Sequence, residues 1–297
     1  MVIVVSNLVS RHRLRSSAFD RPDEETKVNP KRVIFLSVEG DETERTYFQH
    51  LNSHLDNSLI QIEVLRHRRG DGYSDPKYVI ELLDEYLSVR QGELVPEETI
   101  TEFTQKYTRD EIQAYLDGSD SITKKRRNCM REDLLLVGID VDYRRYLQHY
   151  GNEDNQNDVF AVVLDRDCGS HSRELLEQCM SQCIHNGYFC YITNPCFEFW
   201  LLMHLSDVKT EFSDIELNDF LENAKVSQNN TKVSIEVSNR AHHAKSIGKC
   251  TFDMYYLPNI ENAIARANQF ATDYPDILDK LGTNLPQLFA TLGYNAC

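Results

Sequence analysis

Six consecutive apolar residues, Val159 to Leu164, end on Asp165. A run of that length without polar alternation fits a strand covered on both faces, as strands of parallel sheets are. Such a strand needs helices above and below it, so its neighbours must alternate between strand and helix. They do. Val33 to Val38 is a second short run, rich in β-branched residues and closed by Glu39-Gly40. Asp41 and Glu44 have capping-box spacing, and Tyr47, Phe48, Leu51 and Leu55 predict a helix over 42–55. Ile60 to Leu65 alternates as a strand does, and Asp75-Pro76 starts a helix whose apolar face carries Val79, Leu82, Leu83 and Tyr86. Beyond Asp165 come a helix stopped at Asn186-Gly187, a strand at Tyr188 to Ile192, and a nearly all-apolar helix from Cys196 to Leu205. A capping box at Ser213/Glu216 and helices over 259–273 and 285–292 complete the pattern. The order β-α-β-α-(insertion)-β-α-β-α predicts an α/β fold, a parallel sheet flanked by helices.

At 297 residues the chain holds one large domain or two modest ones. Residues 1–31 read as an irregular leader, 32–206 as the α/β domain, and 207–297 as a helical region packed on the same core. The polar stretch 91–157 interrupts the α/β domain as an insertion, helical and ordered in parts, with Tyr143, Tyr146 and Tyr150 marking helix. The formal charge of −15 argues against a protein that coats nucleic acid, though not against an enzyme that touches it through local basic patches. No run of 18 apolar residues occurs, so no membrane span is expected. Arg11, Arg13 and Arg15 follow the apolar opening rather than precede it, so no secretory signal is expected. Eight scattered cysteines then fit reduced thiols in a cytoplasm. Cys179, Cys183 and His185 fall short of the four ligands of a zinc site, and packing is the better reading for these thiols.

In an open α/β sheet, ligands bind outside the carboxyl ends of the strands. Glu39 ends the first strand, Asp165 and Asp167 end the third, and Asn194-Pro195-Cys196-Phe197-Glu198 follows the fourth. Acidic groups far apart in sequence therefore meet at one edge. While the chain stays extended, Asp165 and Asp167 point to one side and Arg166 to the other. Such carboxylates repel unless protonated or bridged, and oxygen ligands with room for water suit Mg²⁺. Each acid taken alone is better read as a helix cap or a solvated group, and together at three strand ends they favour a metal site. Glu198 interrupts a run of Phe197, Phe199, Trp200, Leu201 and Leu202, so it must be paired or functional. His204 reads as a packed histidine. Phosphate binding would need cations, and Arg66, His67, Arg68 and Arg69 follow the second strand where a phosphodiester would lie. Lys124, Lys125, Arg126 and Arg127 form a second cluster, and Lys245 with Lys249 a third; solvated loops are their bland reading. No phosphate loop, dinucleotide fingerprint or serine-nucleophile elbow occurs. An aspartyl-phosphate phosphatase would want Thr or Val where this chain has Gly169, and would leave Glu39 unexplained.

Three segments resemble a known family. Glu39-Gly40-Asp41-Glu42-Thr43-Glu44 with Tyr47-Phe48 resembles the opening E-G-x-x-T-E-x-x-Y-F of RloB-like proteins. Asp165-Arg166-Asp167 resembles their D-x-D, and Asn194-Pro195-Cys196-Phe197-Glu198-Phe199-Trp200-Leu201-Leu202 their S-N-P-C-F-E-x-W-L-L, apart from the Thr193 that stands for Ser. The tail matches only loosely, and the 91–157 insertion departs from the compact members. The resemblance implies a TOPRIM-like (Rossmann-like) domain, with Glu39, Asp165 and Asp167 as the metal-holding acids. It further implies a place in bacterial anti-phage and restriction loci, often beside an ATPase.

The leading expectation is a Mg²⁺- or Mn²⁺-dependent nuclease acting on DNA or on RNA, tRNA included, and controlled by a partner ATPase. Glu39 would be acid/base or a further ligand, and Glu198 would complete or buttress the site. Arg66, Arg68, Arg69 and Lys124 to Arg127 would contact nucleic acid. The alternative is a non-catalytic TOPRIM-like subunit that binds nucleic acid or the ATPase. The oligomeric state stays open, homodimer included.

Overall fold

A computed structural model describes residues 31–40, 42–66, 75–148, 150, 157–227, 230–243 and 246–294. Residues 1–30, Asp41, His67, Arg68, Arg69, Lys245 and Cys297 lie outside the described residues, and with them the readings placed on the leader and on most of the first basic cluster.

The elements run β1 (Arg32–Val38), α1 (Thr43–Asn52), β2 (Ile60–Val64), α2 (Pro76–Arg90), α3 (Glu97–Phe103), α4 (Arg109–Leu116), α5 (Lys124–Leu136), α6 (Val141–Gln148), β3 (Val159–Asp165), α7 (Arg173–Asn186) and β4 (Phe189–Asn194). They continue as α8 (Phe197–Leu205), α9 (Val208–Glu211), α10 (Asp214–Glu222), α11 (Lys232–Ala241), α12 (Lys249–Thr251), α13 (Ile260–Ala267), β5 (Gly282–Thr283) and α14 (Leu285–Thr291). A π-helical turn at Phe252–Tyr256 and a 3-10 turn at Leu257–Asn259 join α12 to α13. The sheet order is β2-β1-β3-β4-β5, parallel except for β5.

The continuous apolar runs are buried on both faces, as their lack of alternation requires. Val33, Phe35, Val162, Leu164 and Ile192 face α2 and α7. Ile34, Leu36, Val38, Ala161, Val163 and Tyr191 face a second cluster that holds α1, α8 and α13. The C-terminal helices α11, α13 and α14 share that cluster. Helix α8 sits at its centre, which is why its sequence is apolar all round: Phe197 and Phe199 to Met203 are all fully buried. His204 is a packed histidine. Its Nδ1 lies 3.0 Å from the Trp200 carbonyl, which can only accept, so Nε2 accepts from the Tyr47 hydroxyl at 3.0 Å. Burial pushes its pKa down to about 3.

The insertion is helical, as expected, and among the described residues it has a core of its own. Helices α3 to α6 enclose Val95, Tyr107, Ile112, Tyr115, Met130, Leu134, Ile139 and Val141. Helices α4 and α5 bury two residues each, α3 buries none, and Val95, Tyr107 and Ile139 come from the connections, so no readable period is left. The C-terminal region is not purely helical, since β5 adds an antiparallel edge strand, pairing Thr283 with Thr193 and Gly282 with Asn194. Helix α13 stops at Ala267, because Ala271 bridges to Gly282 instead of continuing the helix.

That bridge makes Gly282 irreplaceable. A Cβ there would overlap the backbone carbonyl of Ala271, which no rotamer change can move aside. We expect Gly282→Ala to cost about 1–3 kcal/mol of unfolding free energy, the scale of overpacking. Urea denaturation measures it, and an unchanged midpoint would contradict the tight approach.

Candidate active site

The carboxyl ends of β1, β3 and β4 meet as the strand-end rule requires. The Glu39 N–H continues the ladder to the Val163 carbonyl at 3.1 Å, and its Oε2 accepts the Asp165 N–H at 3.0 Å. Asp165 shares the face of Ala161 and Val163, towards α8, and its Oδ1 accepts the Phe197 N–H at 2.8 Å. Burial pushes Glu39 up to about 8, helped by the carboxylates of Glu44, Asp167 and Asp75 and opposed by the Asp165 N–H. Asp165 is also raised well above the carboxylate range, by burial and then by Glu44, Glu39 and Glu198. Four other acids thus act on these two, and with burial they favour the protonated forms in the absence of a compensating cation.

The D-x-D is not extended. Strand β3 ends at Asp165, and Asp167 takes a left-handed φ of 23°. Its N–H donates to the Pro195 carbonyl at 2.8 Å, and its Oδ1 accepts the Asn223 amide at 3.2 Å. The alternation argument therefore stops at Asp165: a turn, not strand geometry, sets Asp167. Arg166 does point away from the acids, into the protein. It is buried, with Nε on the Leu278 carbonyl at 2.9 Å and Nη1 on the His171 carbonyl at 2.6 Å. Arg166→Met leaves both carbonyls without their donor. We expect it to cost about 2–3 kcal/mol, since hydrogen bonds to a charged group are lost from a buried site. Denaturation midpoints check this, and a loss below about 1 kcal/mol would mean the carbonyls find other donors.

The Thr193 to Glu198 segment holds the D-x-D in place. The Thr193 and Thr283 hydroxyls meet at 2.9 Å, and the Asn194 amide donates to the Ile277 carbonyl at 2.6 Å. The Asn194-Pro195 peptide is cis. Pro195 and Phe197 then supply the backbone groups that fix Asp167 and Asp165. Glu198, half-buried in the first turn of α8, is the one residue of this helix between Phe197 and His204 that is not buried. Its charge acts on Asp165 and on Tyr256.

Several residues here escape a sequence reading. Glu44, spaced like half of a capping box, is buried and accepts the Gly40 N–H at 3.1 Å while raising both Glu39 and Asp165. The E-G-D-E-T-E segment carried that signal. His171 is buried with Nδ1 at 3.2 Å from the Asp165 carbonyl and Nε2 3.6 Å from Glu39. Asn223, in a left-handed conformation after α10, gave no signal.

In donor type the site fits a hard cation: all-oxygen ligands, crowded enough to hold protons otherwise. Among the described residues, however, no group of three or more His, Cys, Asp or Glu side chains is arranged as a ready metal cluster. Glu39, Asp165 and Asp167 each turn one oxygen to an N–H, of Asp165, Phe197 and Asn223 respectively. A cation would bind through their second oxygens.

Of the first basic cluster only Arg66 is described. Arg66 stacks over the Tyr143 ring at 4.9 Å. Lys124 to Arg127 form the first turn of α5. Arg126 pairs with Glu111 at 2.8 Å and covers Tyr107, and Arg127 donates to the Ser119 carbonyl at 2.6 Å, so both tie the insertion together. Lys124 and Lys125 are exposed. Lys249 pairs with Asp253 on the surface. Cys179 and Cys183 are buried between α7 and the sheet.

The fold and site define an α/β protein of Rossmann-like type with an acidic centre at the carboxyl edge of a mostly parallel sheet. The family model for RloB-like protein matches residues 34–292, and the chain belongs to the RloB-like family. No curated protein and no solved structure matches it. No helix among the described residues is long and apolar enough to cross a membrane.

Proposed function

We propose that this chain is a TOPRIM-like, Mg²⁺- or Mn²⁺-dependent nuclease, an effector of bacterial anti-phage defence acting in the cytoplasm under a partner ATPase. The observation that carries the reading is the meeting of Glu39 and Asp165 across two strand ends, both pushed towards protonation by burial and mutual repulsion. Burying such charge is costly unless something offsets it, and functional sites are where that cost is found. Glu39, Asp165 and Asp167 would hold the cation. When bound, it supplies charge stabilisation for a phosphodiester and its leaving oxygen. Glu39 would act either as general acid/base or as a further ligand, and its rise to about 8 belongs to the site without a cation. Glu198 biases Asp165 from the far side. Arg66 and the exposed Lys124 and Lys125 are the candidate phosphate contacts, and the insertion is the candidate ATPase contact.

One observation favours a second reading, a non-catalytic subunit that binds nucleic acid or the ATPase: each of the three acids already spends an oxygen on a structural N–H. Purified chain, alone and with its candidate ATPase, should be incubated with plasmid DNA and total tRNA in Mg²⁺, Mn²⁺ or EDTA. Metal-dependent cleavage of either substrate supports the nuclease. Retention of nucleic acid with no cleavage under any metal would establish the subunit reading instead.

A further inference from the structure

Helices α2 and α6 do not close fully on each other. Between them lies a cavity of about 110 Å³ at the seam between the insertion and the sheet. Its walls are aliphatic, from Leu82 and Val89 of α2, Leu135 of α5 and Leu147 of α6. Into these walls are set Glu85 and Arg144, joined as an ion pair, with side chains only 17% and 7% exposed. Arg66 and Tyr143 line one end. The register pairs Val64 with Leu36, so Arg66 stands on the same sheet edge as Glu39, one strand away.

We propose that this cavity binds a nucleobase. Size is the first reason. It is well below the roughly 300 Å³ at which drug-sized ligands begin, so it admits one ring system. Its chemistry is the second. A phosphate inside would meet the carboxylates of Glu85 and Asp140, which also line it. A purely aliphatic ligand would gain nothing from Glu85 and Arg144. A base has apolar faces for the leucines and an edge carrying both donors and acceptors for the carboxylate and guanidinium. Arg66, over the Tyr143 ring in the cavity wall, offers a guanidinium for the attached sugar-phosphate. The base belongs to a nucleic-acid strand or to a free nucleotide, and the chemistry inside the cavity is the same for both.

The test reads binding in EDTA, so it is independent of the nuclease reading: cleavage can fail while binding holds, and the reverse. Full chain is titrated by calorimetry with each nucleoside monophosphate and with short single-stranded DNA and RNA. At least one ligand is expected to bind saturably, and Leu135→Trp, which fills the cavity, should weaken it about tenfold or more. Hydrogen exchange on the unmodified chain should show protection within 82–89 and 135–147, which keeps the test valid where Leu135→Trp does not fold. Tighter binding of oligonucleotides than of monophosphates identifies the source as a strand, and the opposite order a free nucleotide. No binding by any of these ligands, or binding unchanged in folded Leu135→Trp, overturns the proposal. So does protection confined to other segments.

Discussion

Asp165→Ala is expected to lower metal-dependent cleavage by roughly 10²–10³-fold or more, the scale on which loss of one electrostatic stabiliser acts. Asp165 is the pivot of the site: its N–H holds Glu39 and its Oδ1 holds the Phe197 N–H that opens α8. The alanine keeps the first contact, made by the backbone, and loses the second. Loss of that hydrogen bond costs about 1 kcal/mol, while removal of a carboxylate crowded by Glu44, Glu39 and Glu198 relieves repulsion. The two effects oppose, so melting temperature in EDTA should stay level or rise. Asp165→Asn keeps the acceptor and should be the more stable of the two while equally inactive. Full cleavage by either variant would sink the metal mechanism, and a large drop in melting temperature would mark Asp165 as structural.

Glu39→Gln should stabilise the chain, and the gain should depend on pH. The Glu39 carboxyl rises from 4.5 to about 8 on folding, so the folded state binds this proton more tightly than the unfolded one. The group's contribution to stability is then fully present below about pH 4.5 and is lost as pH rises through about 8. Asp165 shifts in the same direction. Glutamine has no proton to lose and can still accept the Asp165 N–H. Its advantage over the unmodified chain should be absent near pH 4.5 and reach as much as about 5 kcal/mol above pH 8, at about 1.4 kcal/mol for each pH unit that separates the folded from the unfolded value. Unfolding free energies at the two pH values in EDTA test this. A pH-independent difference would mean that Glu39 is ionised throughout. Saturating Mg²⁺ should shrink the gap, because a bound cation takes over the compensation that the proton supplies.

Much of the site is legible because strand ends are legible. Val33 to Val38 and Val159 to Leu164 are apolar until the acid that closes them, and the strand-end rule needs nothing more to place Glu39 beside Asp165. Asp167 is different. Its position depends on a left-handed turn and on Pro195 and Asn223, and no local pattern announces either partner. Glu44 was visible in sequence, but cap spacing and site membership give the same signal. Gly282 and Thr283 form a strand of two residues, too short for any period, and only their partners on β4 and at Ala271 define them. Lys124 to Arg127 look like one basic patch in sequence. Folding gives Arg126 and Arg127 to Glu111 and Ser119 and leaves two lysines in solvent.

The supports of the D-x-D come late in the chain. Asn223 holds Asp167, while Ile277 and Thr283 anchor the strand end that carries Pro195 and Phe197. On a ribosome, Glu39 and both aspartates emerge well before these partners, and contacts between such distant segments form only after the intervening chain is available. A nascent chain stalled or truncated ahead of β5 therefore carries every acid of the site without the pairing and the Thr283 hydroxyl that anchor the end of β4. Synthesis itself delays assembly of the centre until β5 has emerged.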